Sequence, residues 1–163
     1  KPQLLHASLR DNITLFDPDI RDEDIYKAIN ALGLELWLEG FEGGLDTSFS
    51  SAEGSISAGE AQFVSIIRLF LRHPQVIILD EITSSLDKKK EKELMNAIKR
   101  LSGERTVLMI AHHPEALRIV NKILVLDGGF LVEEGETHRL MNNPGSLYYK
   151  ALTAGDEKGG ISL

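Results

Sequence analysis

The segment VIILDEITSSLD, Val76–Asp87, constrains the fold more than any other part of the chain. Four apolar residues run directly into two adjacent carboxylates, Asp80 and Glu81. An apolar run of this length predicts a buried strand of a parallel sheet. Open α/β sheets bind ligands at the carboxyl ends of their strands, so both carboxylates are predicted at a ligand-binding edge. Ser84 and Asp87 fit a Ser-x-x-Asp capping box that begins the next helix.

Hydrophobic spacing and capping patterns divide the rest of the chain into short elements. Residues 1–16 are predicted to be extended or irregular. The predicted helices are 22–32, 34–41, 57–72, 88–101, 114–119, 137–141 and 146–152, and the predicted strands are 76–80, 106–111, 122–126 and 130–134. Asp127-Gly128-Gly129 is a hairpin turn pattern between the last two strands. A helical block followed by strand–helix–strand and a hairpin predicts an α/β fold with a helical insertion.

The composition excludes several classes of protein. Twenty-five acidic and 18 basic residues give a net charge of −7, which argues against a nucleic-acid partner. The chain has no cysteine, so disulfides and cysteine metal sites are excluded. No apolar run approaches the roughly 18–20 residues that a membrane-spanning helix needs.

Two adjacent carboxylates at a strand end suggest phosphate chemistry. An Asp that closes a buried strand can hold Mg²⁺, usually through water, because Mg²⁺ takes only one or two protein carboxylates. The following Glu can polarise an attacking water. The alternative is that Asp80 and Glu81 only cap the next helix.

Two other positions offer groups that bind phosphate. Ser57-Ala58-Gly59 begins a long helix with free N–H groups and the positive end of the helix dipole. The alternative is that Ser57 and Glu60 satisfy that helix end by themselves. His112 follows the second buried strand, which predicts an imidazole at the same sheet edge as Glu81. The alternative there is a histidine that only begins a helix.

The order and spacing of these motifs resemble the nucleotide-binding domain of ATP-binding cassette (ABC) transporters of the exporter type. The resemblance covers essentially the whole chain and is most specific between the signature motif and the D-loop. The matching motifs are the signature at Gly54–Glu60 with Arg68 in its helix, Walker B at Val76–Glu81, the D-loop at Ser84–Asp87 and the switch-histidine loop at Ile110–His112. Segments 7–13, 44–47 and 147–152 are also similar to the exporter branch.

The resemblance implies a fold, ligands and partners. The fold is the C-terminal part of a P-loop NTPase domain of the ABC type, with a parallel-sheet core and a helical subdomain. The helical part is expected at 1–75, the core at 76–154 and a flexible tail at 155–163. The implied ligands are ATP and Mg²⁺. The implied partners are a second nucleotide-binding domain, arranged head to tail, and a transmembrane domain, with this domain at the cytoplasmic face of a membrane and no nucleic acid bound.

The resemblance also assigns a role to each candidate residue. Glu81 would polarise the attacking water, Asp80 would support Mg²⁺, and His112 would contact the γ-phosphate. Within the signature, Ser57 and Gly59 would bind the γ-phosphate of the opposite subunit's ATP, and the D-loop residues would communicate across the dimer. The signature set is Ser57, Ala58, Gly59 and Glu60, and the D-loop set is Ser84 and Asp87.

The chain departs from the family pattern in two ways. It contains no G-x-x-x-x-G-K-[ST] phosphate loop, so it is expected to begin just after the Q-loop and to be inactive alone. Ile56, Ala58 and Glu60 replace the usual Leu, Gly and Gln of the signature. Two alternatives follow, a soluble ABC-type ATPase of DNA repair or translation and a degenerate, non-catalytic regulatory module.

Overall fold

The computed structural model describes residues 4–49, 58–83, 86–103, 105–111 and 117–158. The chain divides into two compact units, Lys1–Leu108 and Met109–Leu163. The boundary between a helical part at 1–75 and a core at 76–154, which the family resemblance implies, stays a prediction.

The observed elements follow the predicted order closely. The helices are α1 (Leu9–Thr14), α2 (Asp22–Leu32), α3 (Glu35–Glu39), α4 (Ala58–Arg72), α5 (Lys88–Ser102), α6 (Thr137–Met141) and α7 (Leu147–Lys158), with a 3₁₀ turn at Gly44–Asp46. The strands are β1 (Val76–Asp80), β2 (Thr106–Ile110), β3 (Lys122–Asp127) and β4 (Phe130–Glu136). Helix α7 continues to Lys158, so it enters the segment predicted as a tail. Half of the helix predicted at 114–119, residues 114–116, lies outside the described residues.

The prediction that residues 1–16 are irregular was wrong, because α1 forms within them. Ser8 caps this helix, its hydroxyl accepting a hydrogen bond from the backbone N–H of Asp11 at 3.0 Å. The side chain of Asn12 is fully buried and binds the preceding segment through Leu5, donating to the Leu5 carbonyl and accepting from the Leu5 N–H. A helix of six residues is too short to show hydrophobic periodicity, so local capping and tertiary contacts determine it.

The first unit has a helical core in which α4 contacts α1, α2 and α5. Helices α2 and α5 each bury one apolar stripe, as their spacing predicted. The half-buried ring of Trp37 packs against the buried Phe63 of α4, with ring centroids 5.7 Å apart. The fully buried side chains of this core include Leu9, Ile25, Phe63, Ile67, Leu94, Ile98 and Leu101.

Strands β1 and β2 form a two-stranded parallel sheet linked by α5. Ile77 and Leu79 are buried, but Val76 is 61% exposed and Ile78 is 65% exposed. The prediction that β1 is buried on both faces is therefore wrong for the described chain, because none of its described elements covers the outer face. A continuous apolar run indicates two apolar faces, but it does not identify what covers them.

The second unit is built on the predicted hairpin. Strands β3 and β4 pair antiparallel, with Asp127 opposite Phe130, and Gly128 and Gly129 form the turn. Both glycines have positive φ. A two-residue hairpin turn of this kind requires that conformation, which glycine adopts without steric cost. The inner face of the hairpin packs on the last two helices through a small apolar cluster of Ile123, Val125, Leu140 and Tyr148.

Within the described residues, no helix has both the length and the apolar character needed to cross a bilayer.

Candidate functional site

The chain turns sharply where β1 ends at the two carboxylates. Asp80 is the last residue of the strand, and the side chains of Asp80 and Glu81 are both exposed. Glu81 has a positive φ, in the left-handed region that non-glycine residues rarely adopt. Such a conformation costs on the order of 1 kcal/mol and recurs where a backbone must present a functional group. The local backbone thus places two carboxylates at the predicted ligand-binding edge.

The turn after Glu81 leads directly into α5. The backbone N–H of Leu86 donates to the Thr83 carbonyl at 3.1 Å, which closes the turn. Asp87 is the N-cap, and its Oδ1 accepts from the backbone N–H groups of Lys89 at 3.0 Å and Lys90 at 2.9 Å. The prediction that Asp87 is the third helical residue of a box capped by Ser84 was therefore wrong, because Asp87 itself caps the helix.

The cap hydrogen bonds affect the ionisation of Asp87. The bond from the Lys90 N–H lowers the pKa of the Asp87 carboxyl, and the bond from the Lys89 N–H adds to this effect. Both lysine side chains lower it further by their charge. Asp87, which is also a predicted D-loop residue, therefore carries a negative charge that stabilises the N-terminus of α5.

Helix α4 begins with Ala58, and its first turn contains Glu60. The Glu60 carboxylate lies 3.5 Å from the ammonium group of Lys90 on α5. The Lys90 side chain is only 33% exposed, because it turns toward α4. The capping box predicted between Ser57 and Glu60 stays a prediction, because Ser57 lies outside the described residues.

Arg68 of the signature helix connects α4 to α1. Its Nε donates to the backbone carbonyl of Asn12 at 2.6 Å. Burial lowers the pKa of the Arg68 guanidinium, and the nearby charge of Arg72 lowers it further. Its buried Nη2 has no hydrogen-bond partner among the described residues. Arg68 thus has a packing role in the described part of the chain.

Three of the predicted site residues, Ser57, Ser84 and His112, lie outside the described residues. The structure therefore places Asp80, Glu81 and Asp87 along one strand–turn–helix segment, and Gly59 and Glu60 in the first turn of α4. The predicted approach of His112 to Glu81 stays a prediction.

The Lys90–Glu60 contact is the feature that sequence reasoning missed. The sequence shows that the two side chains have opposite charges, but it does not show that α4 and α5 pack with these residues in contact. The ion pair joins residues 30 positions apart, and such a separation carries no local pattern.

Asp80, the candidate magnesium ligand, suits a site that the protein and a bound nucleotide form together. Among the described residues, no cluster of three or more His, Cys, Asp or Glu side chains could form a metal cage. One exposed carboxylate, Asp80, fits a cation that keeps several waters and uses substrate phosphates as ligands. The donor set present therefore fits Mg²⁺ delivered with a nucleotide.

Comparison with known proteins supports this interpretation of the motifs. The family model described as ABC transporter matches residues 2–84, about half of the chain, including the signature helix and β1. The chain belongs to the ABC transporter family of ATPase domains, whose fold is that of the P-loop NTPases. The predicted fold class is thereby confirmed.

Individual relatives carry names that concern toxin translocation. The chain is 32% identical to the toxin RTX-III translocation ATP-binding protein of Actinobacillus pleuropneumoniae. It is 33% identical to the exotoxin translocation ATP-binding protein PaxB of Pasteurella aerogenes. It is also 32% identical to the leukotoxin translocation ATP-binding protein LktB of Mannheimia haemolytica. The matches cover 89–90% of this chain but only 20% of each relative, so the chain spans about a fifth of the length of these relatives.

Proposed function

We propose that this chain is the C-terminal part of a nucleotide-binding domain, in a protein that hydrolyses ATP to drive export across a membrane. The observation that carries the proposal is β1, which ends in two exposed carboxylates with a left-handed turn at Glu81 before the Asp87-capped helix. The family match through residue 84 and the relatives named as translocation ATP-binding proteins support it.

The chemistry assigned to the β1 edge follows from carboxylate properties. Glu81 is exposed at the turn, where its carboxylate can hydrogen-bond a water and increase that water's nucleophilicity toward a phosphorus atom. Asp80 would hold Mg²⁺ together with the nucleotide, and the bound ion would offset charge on the phosphate oxygens. Because Asp80 and Glu81 are adjacent, both carboxylates lie at the same end of the strand.

The chemistry assigned to the signature follows from helix physics. The first turn of α4 has backbone N–H groups that lack partners within the helix, and the helix dipole is positive there. Ser57, Ala58 and Gly59 would direct these donors at the terminal phosphate of a nucleotide held by a second domain. Glu60 lies in the same turn, so its charge must be kept away from that phosphate.

Two further roles complete the proposed site. His112 would donate to the γ-phosphate from the end of β2. Ser84 and Asp87 would communicate across the dimer, since their segment directly follows the Glu81 turn. A second nucleotide-binding domain and a transmembrane domain are the proposed partners, at the cytoplasmic face of the membrane.

A degenerate regulatory module is the second candidate, favoured by Ala58 and Glu60 in the signature. Ala58 carries a methyl group that glycine lacks, and the usual glycine would allow a phosphate to approach the backbone of this helical turn more closely. A carboxylate at position 60 adds repulsion. Under this alternative the domain would bind a partner domain without hydrolysing ATP.

Replacing Glu81 by Gln distinguishes the two candidates. The test uses the full-length gene product that carries this sequence, and measures dimer formation by light scattering with and without MgATP. A catalytic Glu81 predicts that Glu81→Gln accumulates a stable ATP-bound dimer that the wild-type protein does not accumulate. A regulatory module predicts the same dimer fraction in both proteins, and that result would reject the catalytic proposal.

A further inference from the structure

Lys90 contacts a residue of the signature helix although it lies outside the motifs that resemble the family. Its Nζ is 3.5 Å from Glu60 Oε1, and the two side chains are 33% and 27% exposed. A pair that is two-thirds or more shielded is screened less by salt than a surface pair. The contact therefore contributes a persistent electrostatic interaction between α4 and α5.

The position of Glu60 makes this contact relevant to phosphate binding. Glu60 is the third residue of α4, the position from which a Glu side chain can fold back to the helix N-terminus. There its carboxylate would accept from the same N–H groups that a phosphate would use. A carboxylate drawn toward Lys90 would leave those N–H groups available to a phosphate, and the lysine charge offsets part of the Glu60 charge.

Lys90 is itself fixed at the start of α5. Its backbone N–H donates to Asp87 Oδ1 at 2.9 Å, so the cap that begins α5 also fixes the residue that holds Glu60. A continuous series of contacts thus runs from Asp87 through Lys90 to Glu60. This series connects the segment after Glu81 with the first turn of the signature helix.

We propose that Lys90 is a positioning residue that holds the Glu60 carboxylate away from the α4 N-terminus, so that this turn can accept a nucleotide phosphate. The inference rests on the proposed function, because it assigns Lys90 a part in the same phosphate site. It also explains how a signature with Glu in place of the usual Gln remains compatible with an anionic ligand: the added negative charge is matched by a lysine on the neighbouring helix.

The test measures the KM and kcat of MgATP hydrolysis in the full-length gene product. Lys90→Gln should raise KM about three- to fivefold with little change in kcat, since a charge at a helix terminus has an effect of this size. Lys90→Arg should restore the wild-type KM, because it retains the positive charge. Lys89→Gln is the matched control, an exposed lysine one position earlier, and should leave KM unchanged.

A double variant separates positioning from a structural role. In a Glu60→Gln background the repelling charge is gone, so adding Lys90→Gln should not raise KM further. The proposal is overturned if Lys90→Gln matches Lys89→Gln, or if it raises KM equally in the wild-type and Glu60→Gln backgrounds. It is also overturned if Lys90→Gln lowers the unfolding temperature without changing KM. Failure of the proposed function gives a different result, an inactive wild-type protein whose properties Glu81→Gln does not change.

Discussion

At the scale of single residues, Asp87 shows how one side chain defines the start of a helix. Its carboxylate accepts from two backbone N–H groups that the helix leaves without partners. The sequence predicted a cap in this region, but it assigned that role to Ser84. Both residues are good caps, so residue type does not decide between them. The backbone of Asp87 is extended, as that of an N-cap must be, and this conformation identifies it as the cap.

Asp87→Ala is predicted to lower the unfolding temperature of the chain, because two helix N–H groups lose their acceptor. Asp87→Ser should recover most of the loss, since serine also caps well. Thermal unfolding followed by circular dichroism measures both effects. An unfolding temperature for Asp87→Ala equal to that of the wild type would contradict the assignment of Asp87 as the cap.

The same cap predicts a pH dependence. The folded-state pKa of Asp87 is lowered, so its stabilisation is fully present above the unfolded pKa of about 3.9. The stabilisation is lost as the pH falls through the lower folded-state value. The difference in unfolding temperature between wild type and Asp87→Ala should therefore be constant from neutral pH to about pH 5 and shrink below about pH 4. A difference that grows on acidification would contradict this account.

At the scale of elements, Glu133 fastens the last helix to the hairpin. Its Oε2 accepts from the Ser146 hydroxyl and from the Tyr148 N–H, each at 2.9 Å. Burial raises the pKa of Glu133, but the hydrogen bonds from Tyr148, Ser146 and Leu147 outweigh burial, so the net pKa is lowered. The carboxylate of β4 therefore caps α7 from outside that helix.

Glu133→Gln should destabilise the chain by about 1 kcal/mol at neutral pH, because a charge-assisted acceptor becomes a neutral one. The folded-state pKa of Glu133 is lowered, so this contribution is lost as the pH falls through that value, and wild type and variant should converge in acid. Urea unfolding measures the change.

Glu134→Gln is the matched control for this experiment. The Glu134 side chain forms an exposed ion pair with Lys122. Exposed pairs contribute little because solvent screens them, so a clearly smaller change is expected than for Glu133→Gln. Equal effects of the two substitutions at neutral pH would contradict the role of Glu133.

The elements show where sequence reasoning was sufficient and where it was not. Helix α2 and the β3–β4 hairpin were predicted from periodicity and turn residues, because both patterns are local. Helix α1 was missed because its six residues are stabilised by Ser8 and by contacts with α4. The exposure of Val76 and Ile78 was missed because an apolar run does not specify whether a neighbouring element covers each face.

At the scale of the whole molecule, the candidate site was predicted from motif order and not from geometry. Asp80, Glu81 and Asp87 follow one another in sequence, so their placement on one strand–turn–helix segment was predictable. The Lys90–Glu60 pair was not, because it depends on how α4 and α5 pack. The 163 residues contain no G-x-x-x-x-G-K-[ST] phosphate loop.

The chain by itself should therefore bind MgATP only weakly. Without a phosphate loop and its lysine, the signature turn and the β1 carboxylates have no means of holding the triphosphate. Isothermal titration calorimetry of the 163-residue chain with MgATP should give no saturable heat at micromolar concentration. A micromolar dissociation constant would show that the site is more complete than proposed.

The rate of ATP hydrolysis in the full-length gene product tests the central claim most directly. A catalytic Glu81 predicts measurable hydrolysis by the wild type and a loss of about a hundredfold or more in Glu81→Gln, the size expected when a general base is removed. Glu39→Gln, an exposed glutamate at the end of α3, should hydrolyse ATP at the wild-type rate. Equal hydrolysis by Glu81→Gln and the wild type would contradict the assignment of Glu81 as the catalytic base.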